Sequence, residues 1–156
     1  MMGYVIAGID PAPFRHLYGL SDAALAAEQV VRMTVTAKPD APCRVELVDV
    51  DPGETVLLVN HEHLPVATPY RSAHAIFVRE GAEMPARFDN RVPEPLAIRL
   101  LSIRAFDDAG MMTDADVVEG CELEPLIARM FEDPAVAYLH VHNARRGCFA
   151  ARVDRA

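Results

Sequence analysis

The chain has 156 residues, 51% of them hydrophobic, which suits one ordinary domain with a real core and excludes a disordered chain. Its formal net charge of -8, from 23 acidic against 15 basic residues, argues against nucleic acid or an anionic membrane as partner. No apolar run approaches the ~20 residues of a membrane-spanning helix, the N-terminus lacks a signal-peptide pattern, and three scattered cysteines make neither a disulfide framework nor a zinc finger, so a single cytoplasmic domain over residues 1–156 is expected.

In chain order, residues 4–9 read as a first strand, broken by Asp10-Pro-Ala-Pro. Phe14 to Tyr18 suit one helical turn closed by Gly19. Ser21 is placed as an N-cap, with Leu20 and Leu25 as a hydrophobic staple, for a short Ala-rich helix ending near Glu28. Residues 30–36 are β-prone, residues 38–42 read as a loop, and Cys43 to Val50 as a strand. Asp51-Pro-Gly-Glu54 fits a tight turn with glycine where positive φ is needed. The apolar run Thr55 to Val59, extended by Asn60-His-Glu-His63, predicts a strand, and Ser72 to Arg79 another. Between them the prolines at 65 and 69 predict a loop, and residues 80–95 a long irregular connection.

Leu96 to Phe106 and Met111 to Val118 read as strands joined by the turn Asp107-Asp-Ala-Gly110. Leu123, Leu126, Ile127, Met130 and Phe131 recur on one helical face, so Glu122 to Asp133 is the clearest helix, stopped by Pro134. Tyr138 to Val153 closes the chain as a hairpin. About seven to eight strands against two helices predict an α+β fold: a mostly antiparallel curled sheet or partly closed barrel, with a short N-terminal helix and one amphipathic helix before the C-terminal hairpin.

Five histidines lie on or beside predicted strands. His61 and His63, and likewise His140 and His142, are two apart, so each pair leaves one face of its strand; His74 begins a third strand. On these strands His61 and His63 share a face with Leu57 and Val59, and His74 with Ile76 and Val78. Zinc or iron held by His61, His63, His140 and His142 would use this spacing, with His74 in support. The competing reading is a set of buried, hydrogen-bonded core histidines. Arg71 and Arg145 offer guanidinium groups for a carboxylate or phosphate, against the alternative of solvated surface charges. Cys148 near two histidines raises a thiol nucleophile, but a turn over Ala144 to Gly147 sets Asn143 opposite Cys148 and turns the thiol away from His140 and His142.

Asp10-Pro-Ala-Pro-Phe14, Pro42-Cys-Arg44, Pro52-Gly-Glu54, Pro69-Tyr-Arg71, Ala75-Ile-Phe-Val-Arg79 and above all His140-Val-His-Asn-Ala-Arg-Arg-Gly-Cys148 resemble a family of short, single-domain, mainly proteobacterial proteins classed as a domain of unknown function. The resemblance covers nearly the whole chain. It implies a stand-alone domain and no particular reaction, substrate or catalytic residue.

The functional expectation is a polar pocket for a small anionic molecule, lined by Tyr70, Arg71, His74, His140, His142, Asn143 and Arg145. The alternatives are a metal-dependent enzyme built on the histidines and a non-catalytic interaction domain that pairs its strands with a partner or a second copy.

Overall fold

The computed structural model describes residues 3–156. Among the described residues eleven strands form two open sheets, and neither closes into a barrel. The α+β class and the antiparallel bias hold, but the strands are shared between two sheets rather than curling in one.

The first sheet is built from β1 (Tyr4–Ala7), β7 (Arg87–Asp89), β8 (Leu100–Phe106), β9 (Met112–Glu119), β10 (Tyr138–Asn143) and β11 (Phe149–Arg155). Its order is β7-β1-β11-β10-β8-β9, every pair antiparallel. Leu101, Ile103, Ala105, Leu139, Val141, Ala151 and Val153 alternate along these strands and are all buried. They share an apolar cluster with Leu123, Leu126, Ile127 and Met130 of α3 (Leu123–Met130). Each Leu, Ile, Val or Met side chain among them removed from water contributes about 1.5–3 kcal/mol, so one face of this sheet is committed to the helix.

The second sheet has β2 (Val31–Thr34), β3 (Pro42–Cys43), β4 (Val48–Asp49), β5 (Thr55–Leu64) and β6 (Ser72–Arg79), in the order β2-β5-β6-β3-β4. Only β3 against β6 is parallel, through Cys43 and Phe77. Leu57, Val59, Ile76 and Val78 form a second buried cluster with Phe14 and Leu17 of the turn Ala12–Leu17 and Leu25 of α1 (Asp22–Ala27). Ser21 caps α1 as expected, its side chain accepting from Ala24 N at 3.1 Å.

Three local expectations differ. The run Cys43 to Val50 is not one strand. Leu47 takes φ 51° and folds it into a tight turn between β3 and β4. The connection 80–95 carries β7, which pairs with β1, Ile6 lying opposite Phe88 across 82 positions, a partnership no local pattern reveals. Residues 94–97 form the short helix α2 (Glu94–Ala97), so β8 begins at Leu100. Among the described residues, no helix is long and apolar enough to cross a membrane.

The two sheets are tied where β1 ends. Gly8 N donates to Ala86 O, Ile9 N to Arg44 O and Ala86 N to Val45 O, all within 2.8–3.0 Å. A Cβ at Gly8 would lie 1.9 Å from Val45 O, so only glycine permits this approach. Arg44, 3% exposed, crosses the same junction and donates to Phe149 O of the first sheet at 2.8 Å.

Candidate functional site

Where the β5–β6 end of the second sheet meets the β10–β11 hairpin of the first, four imidazoles converge. The antiparallel register sets His61 opposite His74 on β5 and β6, and a bulge follows before Leu64 meets Ser72. His63 lies within that bulge and is turned into the seam, 8% exposed. On β10, His140 and His142 leave the face opposite Leu139 and Val141 and are 1% and 0% exposed.

The rings interlock through their nitrogens. His63 Nδ1 lies 3.3 Å from His140 Nδ1, and His63 Nε2 lies 2.7 Å from His74 Nδ1. Phe149 stacks on His63 with ring centroids 4.9 Å apart and touches His140 and His142 edge-on, sealing one side. One nitrogen from each of His63, His140 and His142 falls within a mutual distance of 4.8 Å.

His142 carries the most informative atom. Its Nδ1 lies 2.9 Å from Gly147 O, and a carbonyl only accepts, so Nδ1 holds the ring proton. The neutral ring therefore presents a bare lone pair at Nε2. That nitrogen is buried without a hydrogen-bond partner. Leaving a buried acceptor unsatisfied costs about 1–3 kcal/mol, a cost that a ligand to the lone pair would remove.

The surroundings favour the neutral form of every ring in the cluster. Burial first, then repulsion from neighbouring imidazoles, pushes His63 and His140 down to about 3. Burial pushes His142 down to about 4 against the opposing help of the Gly147 carbonyl. Burial and then Arg104 lower His74 as well. Neutral imidazole is the form that binds metal.

Other expected site residues are distributed unevenly. His61 is not in the nitrogen cluster; its ring rests against Phe14 and Phe149 at 5.9 and 6.0 Å. Arg71 does not enter a pocket: it pairs with Glu62 at 2.9 Å, and its side chain is 67% exposed. Arg145 is exposed in the turn between β10 and β11. Tyr70 lies at the surface, edge-on to Phe106 at 6.3 Å. Asn143 donates from Nδ2 to Cys148 Sγ at 3.6 Å while its Oδ1 is buried without a partner.

The hairpin register follows the reading of the turn: Asn143 N donates to Cys148 O and His142 pairs with Phe149. Cys148 thus faces Arg44, whose Nη2 donates to its sulfur at 3.2 Å, rather than the histidines.

Arginines outside the expected set also face the histidines, Arg152 of β11 lying opposite His140 but paired with Asp154. Arg104 of β8 pairs in register with His140, with Ser102 opposite His142. Opposite residues share a face, so Arg104 stands on the histidine side of the sheet. The alternation Leu101, Ile103, Ala105 against Ser102, Arg104 was a sequence signal for its face, but not for its neighbour.

These features define an α+β protein with a buried, neutral histidine cluster in the seam between two sheets. The chain belongs to the family described as "Protein of unknown function (DUF1203)", whose model matches residues 40–155 and so spans all four clustered histidines and Arg104. No curated protein and no solved structure matches the chain.

Proposed function

We propose that this protein binds one divalent transition-metal ion of the zinc class through His63, His140 and His142. The carrying observation is the partnerless, buried Nε2 of His142, held in the ligating tautomer by Gly147. Two ligands on one tetrahedral zinc, each at 2.0–2.1 Å, stand about 3.3–3.4 Å apart; His63 Nδ1 and His140 Nδ1 are 3.3 Å apart without a metal. With Nδ1 of His63 on the metal, its Nε2–H donates to His74 Nδ1, the outer hydrogen bond that orients ligating imidazoles. Imidazole suits zinc, iron, copper and nickel alike, and the all-nitrogen set favours these over magnesium or calcium.

Three protein ligands leave a fourth position for water or a substrate, the arrangement of catalytic rather than structural zinc. The pocket for a small anion built on Arg71 and Arg145 finds no support in the geometry, since both guanidinium groups lie at the surface.

Protein made without a histidine tag, in metal-replete medium, is expected to carry about one zinc-class ion per chain by elemental analysis. His142→Ala is expected to lose it while keeping the far-UV circular dichroism of the parent. Metal-free wild type that also fails to take up zinc or cobalt on titration would overturn the reading.

A further inference from the structure

Arg104 stands apart from the other arginines that are not fully exposed. Among the described residues it makes no hydrogen bond, ion pair or ring contact, whereas Arg32, Arg44, Arg79, Arg99 and Arg155 all have partners. It is only partly exposed, so its charge is partly stripped of water with nothing in exchange. The acids nearest in register cannot serve it. Asp114 and Asp116 of β9 lie opposite Ala105 and Ile103, one step out of phase with Arg104, and both pair with Arg129 of α3 on the far side. Opposite Arg104 itself stands Ala115.

The metal group contains histidines and no carboxylate. A divalent ion on three imidazoles, beside the Arg104 guanidinium, adds positive charge to a largely dry seam whose ligand group supplies no carboxylate. Such a charge is held only when it is paired. Resting on the metal site argued above, we propose that the open coordination position takes a small oxyanion, the carboxylate or phosphate of a compact ligand, with one oxygen on the metal and another accepting from Arg104. The near-complete burial of His140 and His142 limits the group that reaches the ion to a compact one. Arg104 is then the residue that selects an anionic ligand, through the paired N–H geometry that guanidinium offers to such groups.

The test uses the full chain loaded with cobalt, whose visible absorption reports a change of ligand at the ion. Cobalt content is measured first, before any anion is added. Acetate and inorganic phosphate are then titrated separately into wild type, Arg104→Met and Arg104→Lys. Wild type is expected to show a saturable spectral change with at least one of the two anions, and the tighter one identifies the ligand class. Arg104→Met is expected to keep one cobalt per chain and to bind that anion at least about tenfold more weakly, with Arg104→Lys in between.

A cobalt-loaded wild type whose spectrum ignores both anions would overturn the proposal and leave the metal site standing. So would an Arg104→Met protein, equally loaded, that binds the anion as tightly as wild type. A wild type that takes up no cobalt would remove both readings, and the content measurement distinguishes that failure from the other two.

Discussion

Among single residues, the histidines divide by what their second nitrogen touches. His142 is pinned by Gly147 and His63 by His74, so in the proposed metal site each ligating lone pair would be oriented before any ion arrives. Loss of such an outer partner typically weakens metal binding about 10- to 100-fold. His74→Ala is therefore expected to retain the site but to lose about that much affinity in a competition titration against a chromophoric chelator. His61→Ala is expected to leave the affinity unchanged within about threefold, because its ring packs on Phe14 and Phe149 without joining the nitrogens. Equal losses in the two variants would mean that ring packing, not ligation, is what the cluster needs. The same-face spacing of His140 and His142 was legible from two-residue periodicity. The separation of His61 from His63 was not, because the bulge after His61 is set by pairing with β6.

At the scale of elements, Glu80 ties the edge of the second sheet to the helical cover. Its carboxylate accepts from Arg32 Nε and Nη2 on β2, Thr55 Oγ1 on β5 and Gly19 N just before α1. The hydrogen bonds from Arg32, then those from Gly19 and Thr55, hold it down to about 2 against the opposing pull of partial burial. Because the folded value lies below the unfolded one, the unfolded chain binds the extra proton as acid is added. The stabilisation is complete above about pH 4.5 and lost as pH falls toward 2, and after allowance for solvent screening it amounts to about 2 kcal/mol. Glu80→Gln is expected to lower stability near neutral pH by about that amount and to flatten the decline between about pH 4.5 and 2, as read from urea midpoints. An unchanged acid slope would show that other carboxylates dominate it. The ends of β6, the α1 cap and the α3 face were readable locally, from alternation, Ser21 and a 3.6-residue period. β7 and α2 were not, since β7 exists through its pairing with β1 and α2 is a single turn followed directly by β8.

For the whole molecule, the site depends on how closely the two sheets dock. Gly8 lets the backbone of β1 approach Val45, and Arg44 spans the same junction to reach the carbonyl of Phe149, the residue that stacks on His63. Adding one methyl at Gly8 meets backbone rather than a pliable side chain. Gly8→Ala is expected to destabilise the protein by about 2–3 kcal/mol, at the upper end of overpacking costs, and to lower the thermal midpoint accordingly. A midpoint within a degree of wild type would show that the junction yields more easily than its spacing suggests.

By itself the amino-acid order determined the local grammar of this protein: which stretches extend, where glycine and proline turn the chain, which helix face is apolar, and that paired imidazoles leave one side of their strands. These follow from propensities and periodicities that act over a few residues. Only the tertiary structure decided that the strands divide into two sheets, that His63 meets His140 across 77 positions, and that Arg104 rather than Arg71 or Arg145 stands beside them. Strand order and register are chosen by the summed burial of whole faces, and no single residue's neighbours carry that information.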